Sequence, residues 1–266
     1  MKYAFFSGAG SGLAQAVIKI LADSDYTIFC ADIVYDSNRV ENNIHYIRMD
    51  ITKDADIVAA FDYVHSITDK LDIITNFAGI VTLGSLVELP IDSLDRIMSI
   101  NLLGTYKVNA TFFPLVKNAG GRIINISSEY GKICALPFHG YYGISKHAIE
   151  TYNDSLRREL LGSGVKVIAI RPGAFETKMQ AGIMSQFNKV VDDTKMYKRP
   201  LTKLQKMMVG ELKKAKSTEL FAKTYIKAVT SKKPHKYYKT NNSLKMKLLT
   251  MLPTSVQDWA FYQFLK

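Results

Sequence analysis

The first fourteen residues constrain the fold of this chain more than any other stretch. An apolar run, Tyr3 to Ser7, leads straight into Gly8-Ala9-Gly10-Ser11-Gly12-Leu13-Ala14, and a helical apolar period opens at Gly12. A strand that turns this tightly into a helix is the opening of a β-α-β unit. Small residues in such a turn let the backbone come close to a pyrophosphate, and the helix N-terminus favours its negative charge. Taken alone, Gly8 and Gly12 also suit a tight turn that binds nothing.

The pattern then repeats. Strands are expected at Thr27 to Ala31, Ile44 to Met49, Leu71 to Asn76, Arg122 to Ile126 and Val165 to Ile170. Helices are expected at Asp54 to Ser66, Leu94 to Leu115 and Tyr142 to Leu161. Alternation of this kind predicts an α/β fold: one Rossmann-like, doubly wound parallel sheet with helices on both faces and right-handed crossovers. After Gly173 the pattern becomes helical through residues 174–216, a stretch rich in Met, Lys and Gln. A helix from Thr218 to Ser231, a short strand at Lys236 to Lys239 and a leucine-rich tail at 243–266 complete the reading. No linker or repeat divides the chain, so residues 1–266 are expected to form a single dinucleotide-binding domain.

Composition excludes several classes. No apolar run approaches the roughly 18 residues of a membrane span, and Met1 to Phe6 is too short for the apolar core of a signal peptide. Cys30 and Cys134 give neither a disulfide framework nor metal-ligand spacing, and a cytoplasmic setting follows. Cys30 is expected in the core. Asn109, Asn125 and Asn153 each begin an Asn-x-Ser/Thr triplet, in segments read as helix or strand and therefore not as glycan sites. The formal net charge of +11 is concentrated late in the chain, at Lys195 to Lys216 and Lys232 to Lys247. Interleaved apolar residues make peripheral membrane contact by the basic C-terminal region a better functional reading than nucleic acid. A plain solvated surface, or a tail packed on the substrate pocket or a subunit, stands beside it.

Two further features carry chemistry. Asp32 ends the second strand about 20 residues beyond the glycine turn, where a carboxylate can accept from ribose hydroxyls. It would repel a 2′-phosphate, and Ile33 offers no cation to receive one, which favours NAD over NADP. Tyr142 and Lys146 are four residues apart on a helix and share a face. An ammonium beside a phenol favours the phenolate, which suits acid/base work on a carbinol or carbonyl oxygen. Tyr262 and Lys266 have the same spacing with nothing around them, so motif order must distinguish the first pair.

In that order the chain resembles the short-chain dehydrogenase/reductase family, loosely its hydroxysteroid and retinol dehydrogenase branch. Ser7 to Ala14 is similar to the family's glycine turn, Asp50-Ile51 to its adenine-contacting pair, and Asn76-Phe77-Ala78-Gly79 to its Asn-Asn-Ala-Gly segment. Asn101, Ser128, Tyr142 and Lys146 match its catalytic positions, and Pro172, Gly173 and Thr177 its nicotinamide-end segment. The resemblance implies an NAD-dependent alcohol dehydrogenase that needs no metal. Its cofactor contacts are implied at Gly8, Ser11, Gly12, Leu13, Asp32, Asp50, Ile51, Asn76, Ala78, Gly79, Tyr142, Lys146, Pro172, Gly173 and Thr177. Tyr142 is implied as the acid/base, Ser128 as the holder of the reacting oxygen, Lys146 as ribose ligand and suppressor of the tyrosine pKa, and Asn101 as the support of a water. Ser128 to Tyr142 is one residue longer than the family's most frequent spacing, which counts back to Glu129; Ser128 is preferred because Asn125-Ile126-Ser127-Ser128 aligns with the strand end, and Ser127 is the fallback.

The substrate pocket is expected at Glu129, Leu136, Phe138, Phe175 and Met179, with Met184, Phe187, Met207 and Met208 nearby. His139 is expected on a loop surface. A lipophilic alcohol is the favoured substrate, with a small hydroxy acid such as 3-hydroxybutyrate or a non-catalytic nucleotide sensor as alternatives. A homodimer or homotetramer is implied through the two long helices.

Overall fold

Fifth and sixth in the chain, Phe5 and Phe6 show how the sheet organises its two faces. The computed structural model describes residues 1–212 and 214–266, without the side chains of residues 178–181 and 211. Strand β1 (Lys2–Ser7) is buried from Ala4 onward. Successive side chains on a strand point to opposite faces. Phe5 stacks on Phe112 at 4.1 Å, whereas Phe6 meets Phe77 and Tyr225 edge-on.

The chain continues through α1 (Gly12–Ala22), β2 (Tyr26–Asp32), β3 (Arg39–Glu41), β4 (Ile44–Arg48), α2 (Asp54–His65) and β5 (Ile73–Asn76). Then come α3 (Ile91–Met98), a π-helical turn (Ser99–Gly104), α4 (Thr105–Ala119), β6 (Arg122–Ile126), a 3-10 turn (Glu129–Gly131), α5 (Gly140–Glu159) and β7 (Lys166–Pro172). The remainder is α6 (Lys178–Asp193), α7 (Lys198–Leu212), α8 (Thr218–Thr230), β8 (Tyr237–Thr240), α9 (Leu244–Met251) and α10 (Thr254–Leu265).

The sheet order is β3-β4-β2-β1-β5-β6-β7-β8. Every neighbouring pair is parallel except β3 with β4. This is the doubly wound α/β architecture, and the order reverses between β1 and β5, where such sheets open a crevice at their carboxyl ends. On one face, α1 and α8 enclose Ala4, Phe6, Val17, Phe77, Phe221 and Tyr225. On the other, α2 and α4 enclose Phe5, Phe29, Ile57, Phe112 and Val116. A smaller cluster of Leu83, Phe138, Phe187, Val191 and Leu201 seats α6 and α7 over the carboxyl ends.

Three parts of the sequence reading need correction or completion. The helix expected from Leu94 to Leu115 is instead α3 and α4 joined by the π-helical turn. A helix of that kind carries an extra residue per turn. Gly104 lies in it because a Cβ there would press on Ile51 at 2.7 Å. The antiparallel β3 was not expected: Arg39-Val40-Glu41 is fully exposed and lacks an apolar alternation. The leucine-rich tail, read from sequence without element bounds, forms two helices, with Pro253 opening α10. Cys30 is buried as expected, and so are Asn109, Asn125 and Asn153. They interlock through Asn109 Nδ2 to Asn125 Oδ1 at 3.1 Å and Asn125 Nδ2 to Asn153 Oδ1 at 3.0 Å.

Candidate active site

The glycine turn joins β1 to α1 at the crevice. Gly8 has φ +71°, and a Cβ on it would overlap the backbone of Ala78. Both the left-handed backbone and the close approach therefore require glycine. Ser11 caps α1, its hydroxyl accepting from Ala14 N at 3.2 Å. Asp32 ends β2 beneath the turn. Its Oδ2 accepts from Gly10 N at 2.8 Å and its Oδ1 from Val34 N at 3.1 Å. A cavity of about 250 Å³ lies here, lined by Gly8, Ser11, Asp32, Asp50, Ile51, Ala78 and Gly79 among others.

The cradle fits a dinucleotide. Its backbone turn leaves no room for side chains, and the carboxylate keeps further lone pairs for hydroxyl donors. Burial pushes the Asp50 carboxyl up, but bonds from Thr52 and the charges of Lys53 and Arg48 leave it below the ordinary range. Thr177 stands on the same rim, 3.1 Å from where a Gly12 Cβ would sit. Pro172 and Gly173 end β7, and Gly173 N donates to Thr240 O at 2.9 Å. Leu13 turns its side chain against the α1 face of the core. Asn76 does likewise: it accepts from Ser7 Oγ and donates to Asn109 and Asn125, so its side chain is a core link and not part of the cavity wall.

On the other side of the crevice, α5 presents Tyr142 and Lys146. The Ser128 hydroxyl is hydrogen-bonded to the Tyr142 phenol. Ser127 Oγ instead is buried against Gly131 with no hydrogen-bond partner among the described residues. The geometry thus brings Ser128, not Ser127, to the tyrosine. Lys146 Nζ donates to Ile126 O at 3.0 Å and lies 5.8 Å from the Tyr142 ring centre. Asn101 sits in the π-helical turn, holding Ile80 through both its N–H and C=O, and donates to Ser145 Oγ at 3.0 Å. Gly79 lies against both Asn101 and Lys146.

The electrostatics differ from the expectation in one respect. Burial raises the Tyr142 pKa, the Ser128 bond opposes this, and the Glu129 charge adds to the rise. The lysine was expected to draw the phenol below its ordinary value; the phenol lies above it instead, with burial the largest cause. Burial also pulls Lys146 down to about 8, against the attraction of Glu150.

The residues expected at the substrate pocket lie in several different surroundings. Phe175 packs on Phe221 in the core under α8 and does not face the tyrosine. Phe138 and Phe187 are buried in the cluster that seats α6 and α7. Phe138 also adopts φ +64°, a strained conformation for so large a side chain. Glu129 accepts from Ser243 N at 2.8 Å, and Leu136 is half-buried on the same loop. The side chain of Met179 lies outside the described residues. His139, expected on the surface, is buried and stacks on Tyr130, which in turn meets Tyr142 edge-on.

The family model described as short chain dehydrogenase matches residues 2–188. The chain belongs to that family. Rat retinol dehydrogenase 16 is 30% identical over 280 residues, covering 98% of this chain and 88% of the relative. A short-chain dehydrogenase/reductase from Burkholderia phymatum in complex with NAD superposes with a TM-score of 0.78 at 18% identity, covering 97% of this chain and 95% of the other. One from Burkholderia cenocepacia in complex with NADP superposes with a TM-score of 0.73 at 18% identity, covering 100% of each chain. The protein is therefore an oxidoreductase acting on CH–OH groups, similar to retinol dehydrogenases. As a short-chain dehydrogenase it also shows wall residues that sequence reasoning missed. Arg96, Phe77 and Ile100 line the cavity. Arg96 lies five residues before Asn101, and nearness in sequence to that motif position was the one available signal.

Proposed function

We propose that the protein is an NAD-dependent dehydrogenase that interconverts a secondary alcohol and a ketone, or an alcohol and an aldehyde, on a lipophilic substrate such as a steroid-, retinoid- or lipid-like alcohol. The observation that carries this reading is the convergence of Ser128, Tyr142 and Lys146 on one side of the crevice whose other side is the glycine cradle with Asp32. Gly8, Ser11, Gly12, Asp32, Asp50, Ile51, Ala78 and Gly79 hold the adenosine and pyrophosphate parts. Lys146, Pro172, Gly173 and Thr177 hold the nicotinamide end. When bound, the cofactor supplies the carbon that accepts or donates hydride.

The chain's own residues manage the proton. In alcohol oxidation, Tyr142 Oη takes the proton from the carbinol oxygen while Ser128 Oγ hydrogen-bonds that oxygen. In reduction, the same phenol returns it. Stabilising charge at the reacting oxygen with a fixed donor is worth several kcal/mol when the donor is preorganised. Ser128 is so placed, since its hydroxyl also accepts from Tyr130 N at 3.3 Å. Lys146 holds the ribose and carries a positive charge beside the phenol. Asn101 fixes the 80-loop on which that site rests and supports a water between Lys146 and solvent.

The lipophilic substrate is supported by the likeness to retinol dehydrogenases and by the tail. No helix among the described residues is long and apolar enough to cross a membrane. Yet Leu244, Leu248, Met251, Trp259 and Tyr262 are exposed on α9 and α10 next to Lys245, Lys247 and Lys266. Apolar and basic residues together suit the surface of an anionic bilayer. Exposed Leu103, Tyr106 and Ile144 on the π-helical turn, α4 and α5 suit a subunit contact in a homodimer or homotetramer.

The test is turnover with NAD and NADP over a panel from 3-hydroxybutyrate to long-chain, retinoid and steroid alcohols, with Tyr142→Phe as control. Activity with NAD on the bulky alcohols, lost in the variant, is expected. Activity confined to hydroxy acids would refute the lipophilic substrate, and tight NADH binding without any turnover would refute the enzyme mechanism.

A further inference from the structure

Below Tyr142 and Lys146, α5 carries a line of buried charge that the reaction just described does not use. Glu150 lies one turn beyond Lys146, and its side chain is 1% exposed. Arg171 grips it from β7 with both arms of the guanidinium: Nε donates to Oε1 at 2.8 Å and Nη2 to Oε2 at 2.6 Å. The Arg171 guanidinium lies 4.0 Å over the ring of Tyr237. The Tyr237 hydroxyl donates to Asp154, the next turn of α5, and Arg157 and Arg158 approach Asp154 at 3.6 and 4.0 Å. Lys146, Glu150 and Asp154 thus recur at four-residue intervals on one helix face.

A buried ion pair is an expensive way to fasten a helix to a strand. Apolar residues of similar volume often serve as well or better. This pair, however, stands between the lysine of the reaction centre and the strand end at Pro172-Gly173. Lys146 is a buried cation, and Glu150 is the charge that counters its desolvation. Without the arginine, that carboxylate would itself be a lone buried charge.

We propose that Glu150 and Arg171 are positioning residues for the Tyr142–Lys146 pair: the carboxylate holds the proton on that pair, and the guanidinium limits how strongly it does so. This rests on the acid/base reading of Tyr142 and Lys146 given above. Among the described residues, the titratable and charged groups that face the pair are Tyr142, Lys146 and Glu150 from α5 and Arg171 from β7. The 3-10 turn adds Glu129, whose charge acts on Tyr142, and Tyr130, which meets Tyr142 edge-on with the buried His139 stacked on it. Gly79 lies against the lysine and against Asn101 of the π-helical turn, and neither Gly79 nor Asn101 is charged. Asp154 lies farther along, between its arginines.

The sign of each substitution follows. A nearby negative charge favours bound protons and a positive charge disfavours them. Glu150→Gln should therefore move the pH midpoint of kcat for alcohol oxidation downward, by about one unit or more. Arg171→Met should move it upward. A pair that only fastened the helix would destabilise the protein in both variants and leave the midpoint in place. Glu150 is one helical turn from Lys146 and Arg171 lies behind it. The double variant Glu150→Gln/Arg171→Met should thus keep a smaller downward shift, and it leaves no unpaired charge at positions 150 and 171.

The experiment is the pH profile of kcat, at saturating cofactor and alcohol, for wild type and these variants, with thermal unfolding alongside. Opposite shifts in the single variants are the expected result. An unmoved midpoint, or shifts in the same direction, overturns the proposal. Should the single variants fail to fold, a wild-type midpoint in the double variant overturns it and a downward one supports it. A wild-type enzyme with no turnover at all would refute the acid/base reading instead, which is a different outcome from a profile that the substitutions leave untouched.

Discussion

Asp32 gives the sharpest test of how the cofactor is chosen. Its carboxylate ends β2 with Oδ2 on Gly10 N at 2.8 Å and Oδ1 on Val34 N at 3.1 Å, so it is fixed at the cavity wall. A 2′-phosphate on the adenosine ribose would come against this fixed negative charge. Two unit charges at 4 Å interact by about 1 kcal/mol in water and about 4 kcal/mol at an effective dielectric of 20. The site is half-exposed and the phosphate carries between one and two charges at neutral pH, so about 2–4 kcal/mol is a fair range. At about 1.4 kcal/mol per tenfold, that is about 30- to 1,000-fold in relative affinity.

Asp32→Asn removes the charge and keeps the shape. The amide has one acceptor oxygen, so one of the two backbone N–H bonds is lost, and NADH should bind about tenfold more weakly. NADPH should lose far less or gain. The assay is fluorescence titration of NADH and NADPH against both proteins at fixed ionic strength. The ratio of the two dissociation constants should shift toward NADPH by about 30-fold or more. An unchanged ratio would show that Asp32 does not face the ribose. The argument for NAD would then fail, and Arg96 on the same cavity wall would become the residue to examine.

Other expected outcomes are simpler to state. Tyr142→Phe should cut turnover by at least about 100-fold while leaving the NADH dissociation constant nearly intact; an active variant would remove the tyrosine as acid/base. Lys146 has its pKa drawn from 10.5 to about 8 in the fold. The unfolded chain therefore binds more protons between those values, and stability contributed by this residue rises with pH across that window. Lys146→Met should then raise the melting temperature of the cofactor-free protein at pH 7, with the gain shrinking from pH 8 toward pH 10.5. Tyr225→Phe breaks the buried bond between the Tyr225 and Thr75 hydroxyls, 2.6 Å long. It should cost about 1–2 kcal/mol in urea unfolding. Trp259→Ser with Leu248→Ser should abolish sedimentation with anionic vesicles, and equal binding of variant and parent would refute membrane contact by the tail.

How much of this was legible in the sequence depends on how local the cause was. The glycine turn, its flanking strand and its helix are set by adjacent residues, and they lie where the sequence put them, with Lys2–Ser7 and Gly12–Ala22 as the final bounds. Arg122–Ile126 matches its expected strand, because its centre is buried and it is rich in β-branched Ile123, Ile124 and Ile126. The π-helical turn was invisible because the apolar stripe of α3 and α4 runs across it. One extra residue changes the phase without breaking the pattern. β3 was invisible for a different reason. It is three residues long and exposed, Arg39 and Glu41 bond to each other at 2.9 Å, and it has a cross-strand contact in Arg39 over the ring of Tyr46 at 4.1 Å.

The substrate side was the least legible part of the site, and the reason is physical. An apolar residue in a loop announces that it will be buried but not against what. Phe175 was read as pocket wall, yet Phe221 and Tyr225 arrive from α8 to enclose it. Phe138 faces Tyr197 from the segment between α6 and α7, and Glu129 receives its N–H from Ser243, 114 residues away. None of these partners can be inferred from spacing. The expected cofactor cradle escapes this difficulty because it is built of backbone turns at consecutive strand ends. A parallel sheet brings those ends together whatever the loops contain. The buried cluster beneath α6 and α7 does carry one constraint for the substrate. Since Phe138 and Phe187 are buried in it, we expect specificity to be set by groups nearer the phenol, such as the Tyr130–His139 stack. Substitutions there should alter KM between long-chain and steroid alcohols while Phe187→Leu should act on stability alone. A change in substrate preference with Phe187→Leu would place the pocket inside that cluster after all.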